Sequence, residues 1–316
     1  MKLRFQTRES AQDGLFRLAV AEAGAIAQRV HEPCDHTPQD VHAVRLATKR
    51  FRAWWHLLRP FICESEFQAQ NGHLREAAES LAPQRDCRVA LETLSVLRDQ
   101  AGAGGQQAAV DACIQALTPA CNTSRPMAFD APTELALRKG AHALADSAAA
   151  LARLPLAITD DWDLLQPGLA ASYSRTCRAM RRARHRPTVK DFHIWRTQVK
   201  RLYYQLDLLR PVWPGHLKRL THRLKKLGDL LGEDHDLWVL QELLASQNAG
   251  LTSDAIEPVL HLICRRTGDL RRRCLHLGRR ALDDKPRTFL RKLGRHYRDW
   301  HLPAPVPTAA SPVAAA

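Results

Sequence analysis

Along nearly the whole chain, apolar residues recur every three or four positions with polar and charged residues between them, the period of amphipathic helices. Bounded by proline, glycine and Ser/Thr/Asp signals, this pattern predicts helices over about 9–31, 37–60, 64–99, 106–120, 134–154, 162–184, 188–211, 215–247, 254–282 and 286–300, with a kink at Pro83. Strand signals are nearly absent. The Pro/Ala-rich C-terminal run, 301–316, is predicted to be disordered.

One helical stretch occurs twice. TPQDVHAVRLATKRFRAWWHLLRP, from Thr37 to Pro60, and TVKDFHIWRTQVKRLYYQLDLLRP, from Thr188 to Pro211, align without a gap and are identical at ten of twenty-four positions. The identities include His42/His193, Arg45/Arg196, Lys49/Lys200 and Arg50/Arg201. An internal duplication explains this best, and it predicts an all-α protein of two pseudo-symmetric antiparallel four-helix bundles. The halves would be 8–155 and 160–300, with the boundary at Pro155 to Asp160.

Each copy has the grammar of a single helix. Thr37 and Thr188 precede Asp40 and Asp191 by three residues, the spacing of a capping box, and Pro60 and Pro211 mark the stops. At 100° per residue, Val44, Phe51, Trp55 and Leu58 form an apolar stripe, as do Trp195, Val199, Leu202, Leu206 and Leu209. A third of a turn away, His42, Arg45, Lys49 and Arg52 line up, as do His193, Arg196 and Lys200. A cationic ridge is thus expected beside each buried seam.

HxxRxxxKR on a helix, present twice, resembles the CHAD domain, the conserved histidine α-helical domain of prokaryotes. The segments LAPQRDCRVALETL and LLGEDHDLWVLQELL are similar to that family's two LGxxxD helix segments, and YSRTCRAMRRAR to the basic helix that opens its second half. The likeness spans roughly 8–300. It implies that basic faces of the two halves meet around a groove or pore that binds inorganic polyphosphate. On that reading the contacts are His42, Arg45, Lys49, Arg50, Arg52, Arg85, Arg178, Arg182, His193, Arg196, Lys200, Arg201, Arg223, Lys226 and His235.

Bulk charge points the same way. The formal net charge is +14 and the pI about 9.8, which implies polyanionic partners. Eight scattered cysteines without a CxxC pair read as mostly buried free thiols of a reducing compartment. No signal peptide and no apolar run of membrane-spanning length are evident, so a cytoplasmic protein is expected, with polyphosphate granules as a further location.

Histidine and arginine are apt ligands for phosphate oxygens: imidazolium donates to them, and guanidinium grips two at once. Metal binding by His42, His193 and His235 is a rival use, but neighbouring arginines repel a divalent cation, and no cofactor is expected. Asp86 and Asp236 read as helix caps or partners for ridge arginines. Nothing resembles a P-loop, a GxSxG elbow or a carboxylate cluster for Mg²⁺, so a binding protein rather than an enzyme is expected. The alternative partner is nucleic acid, for which Trp54, Tyr203 and Tyr204 would be the stacking platforms.

Overall fold

The computed structural model describes residues 3–31, 36–81, 83–102, 105–122, 131–154, 161–246 and 252–301. The chain is all-helical, and the described residues contain no strand. Eleven α-helices follow one another: α1 Ala11–His31, α2 Pro38–Leu58, α3 Glu64–Glu79, α4 Pro83–Gln100, α5 Gly105–Asn122, α6 Ala131–Ala152, α7 Asp161–His185, α8 Val189–Leu208, α9 Pro214–Ala245, α10 Ser253–Ala281 and α11 Pro286–His301. None of the described helices is long and apolar enough to cross a membrane. The expected disordered tail, and the boundary at 155–160, lie outside the described residues.

The two copied stretches become α2 and α8. Asp191 and Thr188 cap α8 reciprocally: the Asp191 N–H donates to the Thr188 hydroxyl oxygen at 3.1 Å, and that hydroxyl donates to the Asp191 carboxylate at 2.8 Å. At the start of α2 the Asp40 carboxylate accepts from the Thr37 N–H at 2.8 Å. Each capping carboxylate also meets an arginine of the preceding helix, Asp40 with Arg29 at 2.9 Å and Asp191 with Arg182 at 3.5 Å. Where a single kinked helix is expected around Pro83, two helices form: α3 ends at Glu79 and α4 restarts at Pro83. Proline lacks an N–H and has a helix-ready φ, so it suits a first turn better than an interior.

Helices α1, α2, α3 and α6 pack on one another, as do α7, α8, α9 and α10, with α11 laid along α7. The hairpin of α4 and α5 leans on α9 and α10. Helix α2 meets both α7 and α8. The α2–α7 approach is close enough that a Cβ on Gly168 would fall 1.9 Å from the Leu57 carbonyl oxygen, which only glycine avoids. At the α2–α8 contact the Gln205 side-chain amide donates to the Ala53 carbonyl at 2.8 Å, a buried bond between the two copies.

Every residue of both predicted apolar stripes is buried, including Phe51, Trp55, Trp195 and Val199 with no exposed surface. One continuous apolar core runs through both sets of helices. Among the described cysteines all are free thiols; Cys113 and Cys274 are buried, Cys177 half-buried, and Cys63 and Cys264 exposed, so burial of the thiols is less general than expected.

Candidate anion-binding site

The ridge on α2 runs along α3. Arg45 donates to the Ala78 carbonyl at 2.7 Å and Arg52 to the Asn71 side-chain oxygen at 3.0 Å. Each bond satisfies part of a guanidinium with a neutral acceptor and fixes its direction. The ridge then continues beyond its expected end. His56 and Arg59 prolong the three-and-four spacing of His42, Arg45, Lys49 and Arg52.

His56 is 9% exposed and sits edge-on to the Phe67 ring at 4.8 Å. Arg59 lies over the same ring at 4.4 Å and forks onto Glu64 at 2.7 and 3.1 Å. Arg175 of α7 and Arg201 of α8 complete a cluster around this histidine. Burial first, and then the charges of Arg201, Arg175, Arg59 and Arg52, push the His56 imidazole down to about 2. The same causes, burial followed by Arg175, Arg52 and Arg59, lower Arg201 to about 9.

These shifts describe a shortage of counter-charge. Arg201 donates to the neutral Gln198 at 3.1 Å; Glu64 is taken up by Arg59, and Glu79 reaches Arg52 only through space. An oxyanion placed among these guanidiniums would relieve both their desolvation and their mutual repulsion.

The ridge on α8 runs along α9. The stems of Lys200 and Arg196 pass over Gly228 and Gly232, where an added Cβ would stand 3.6 Å from Lys200 Cγ and 3.9 Å from Arg196 Nε. The glycine of LLGEDHD therefore gives the ridge a smooth bed. His193 Nδ1 lies 3.4 Å from His235 Nδ1, and Trp238 stacks on His235 at 5.6 Å. Burial, then Arg196, lowers the His193 pKa. In the same motif buried Asp234 accepts from Arg271 at 2.8 Å, while Arg271 also covers the Phe192 ring at 4.6 Å. That carboxylate holds α10 onto α9.

The other expected contacts divide. Arg178 is exposed on α7 near Arg175, whose pKa it helps to lower, so it adjoins the cluster. Arg182 serves the capping Asp191. Arg50, at the position that corresponds to Arg201, is paired with Glu22 of α1. Arg223 and Lys226 occupy the face of α9 opposite Gly228, away from the ridge. The side chains of Arg85 and Asp86 lie outside the described residues. Trp54 is buried against Phe51 at 4.9 Å and offers no stacking face, whereas Tyr203 and Tyr204 touch at 5.2 Å and are half-buried.

His56, Arg59 and Arg175 are the contributors that the sequence pattern left unassigned. The first two were accessible by extending the ridge by two further steps; Arg175 was visible only as one arginine in a run. Among the described residues no three His, Cys, Asp or Glu side chains come together as a metal site.

Fold and surface together define a class: an all-helical protein that concentrates half-buried cations where two copies of one helix meet. The CHAD domain profile matches residues 19–245, most of the 316-residue chain, and the protein belongs to the CHAD domain family. Comparison with curated proteins gave no match.

Proposed function

We propose that the protein binds inorganic polyphosphate, without catalysis, along the two ridges and the cluster between them. The carrying observation is the cluster itself. Arg52, His56 and Arg59 from the first copy, with Arg175 and Arg201 from the second half, form a half-buried cationic site with too few carboxylates to neutralise it. Membership of the CHAD family, whose domain occurs in polyphosphate-related proteins, supports the same ligand. A flexible polymer of repeating phosphoryl groups asks only for a track of Arg, Lys and His, with no base-reading chemistry.

In this reading α1–α6 and α7–α11 are the descendants of one duplicated bundle, and their meeting surface is the binding groove. Affinity would come largely from counterion release and fall steeply with salt. The protein would act in the cytoplasm, free or on polyphosphate granules.

The test is competition of long-chain polyphosphate against single- and double-stranded nucleic acid, at matched phosphate concentration and near-physiological salt. Polyphosphate is expected to win; preference for nucleic acid would sink the proposal and turn attention to Tyr203, Tyr204 and Trp238. Lys49→Ala combined with Lys200→Ala is expected to weaken binding and flatten its salt slope, with helicity and melting nearly intact.

A further inference from the structure

Helix α9 presents two opposite faces, one of which is the glycine bed of the α8 ridge. On the other, Arg219 and Arg223 converge with Arg280, at the end of α10, on a cavity of about 30 Å³. Its floor is apolar: Leu220, with Tyr173 stacked on Phe289 at 4.7 Å. His216 edges it, held flat against Trp213 at 4.0 Å, which in turn stacks on His296 at 4.4 Å. The wall is therefore rigid and the rim basic.

Two carboxylates border the cavity, and both are engaged in the turn between α10 and α11. Asp284 receives Lys292 Nζ on both carboxylate oxygens at 3.1 Å, and its carbonyl accepts from the Tyr173 hydroxyl at 3.0 Å. Asp283 accepts from the Asp284 N–H at 2.9 Å. Arg223 spends one nitrogen on the Arg280 carbonyl at 3.0 Å. Arg219 and Arg280 pair with no carboxylate among the described residues. Against Asp283 and Asp284 stand Arg219, Arg223, Arg280 and Lys292, an excess of two positive charges before either histidine protonates.

We propose that this cavity is a second oxyanion site that takes one phosphoryl group of a phosphate chain, so that the protein holds two separate chain segments at once. The rim sets the ligand class: Arg219, Arg223 and Arg280 line a small open cavity whose two carboxylates are already engaged, which suits an oxyanion. Each of these guanidiniums carries paired N–H donors suited to phosphoryl oxygens. Arg280 and Phe289 lie beyond the matched residues 19–245, so the site is not contained in the family-defining part of the chain. The second segment rests on the polyphosphate reading; the oxyanion site does not.

Calorimetric titration with tripolyphosphate at about 0.15 M salt separates the two. Wild type is expected to bind two equivalents. Arg219→Ala combined with Arg280→Ala, both exposed positions whose loss should leave melting unchanged, is expected to remove one equivalent by weakening it at least tenfold. Lys49→Ala with Lys200→Ala is expected to weaken the other. A single equivalent in wild type, indifferent to Arg219→Ala and Arg280→Ala, would overturn the proposal. If the cavity variant loses its equivalent while the ridge variant changes nothing, the cavity stands and the ridge reading fails. With long-chain polyphosphate, light scattering near charge equivalence should rise for wild type and stay low for the cavity variant; equal scattering would refute simultaneous engagement.

Discussion

The two copies of the repeated helix begin alike and end differently. His42, Arg45 and Lys49 match His193, Arg196 and Lys200, but the next three ridge positions read Arg52, His56, Arg59 in the first copy and Tyr203, Asp207, Arg210 in the second. Arg210 pairs with Asp207 at 3.3 Å, so the second ridge neutralises its own end. Arg50 and Arg201 differ in the same way: a carboxylate from α1 compensates the first, and among the described residues the neutral Gln198 attends the second. Duplicated residues thus keep their identity while their neighbours decide whether the charge is spent internally or kept for a ligand. Arg201, the uncompensated member of its pair, joins Arg52 and His56 of the first copy at one place.

The largest expected effect is on the seam that both copies share. Trp195 is fully buried, so Trp195→Ala should cost about 3–5 kcal/mol in chemical denaturation. A stable Trp195→Ala protein would mean that the seam does not carry the fold. Gly168→Ala should also destabilise strongly, since the new Cβ meets backbone, and α2 and α7 would have to separate.

Arg201→Gln against Arg50→Gln breaks the comparison most directly. Arg201→Gln should weaken polyphosphate binding about tenfold, some 1.4 kcal/mol, while raising the melting temperature of the empty protein, because it removes a desolvated like charge. Arg50→Gln should do the reverse: lose about 0.5–1 kcal/mol of stability with its half-exposed Glu22 pair and leave binding nearly unchanged. Equal behaviour of the two would show that their surroundings do not matter.

The pH dependence sharpens the role of His56. Its folded pKa of about 2 lies below the ordinary value near 6.5, so below that value the unfolded chain binds a proton that the folded one refuses. The stability of the empty protein should therefore be fully present above about 6.5 and fall as pH drops below it, by up to about 1.4 kcal/mol per pH unit for one proton. His56→Gln should flatten this limb in melting scans from pH 7 to 5. With polyphosphate bound, nearby anions raise imidazole basicity, so binding should strengthen from about pH 8 to 6. His42→Gln with His193→Gln should lose part of that trend. If His56→Gln leaves the acid limb intact, the cluster does not control it.

The smallest expected effect is none. Dialysis against a chelator should leave fold and binding unchanged, because each ridge histidine shares its face with cations. Stoichiometric zinc, lost together with binding, would contradict this.

Helix positions, both buried stripes and the capping pairs were legible because they depend on local periodicity and on interactions three or four residues apart. The family followed from motifs of the same short range. By itself the sequence determined which face of each helix would be buried, and that cations would border the seam, since both follow from 3.6 residues per turn. It could not say which cations would stay uncompensated. Arg50 meets Glu22 and Arg201 meets Arg175 and Arg52 only after helices distant in the chain pack together. That α9 turns its Gly228 face to the ridge rather than Arg223 and Lys226, and the cavity that Arg280 closes, were settled the same way. Only the tertiary structure decided these, because charge compensation is a property of three-dimensional neighbours, and the energy of a buried charge depends on those neighbours more than on the residue itself.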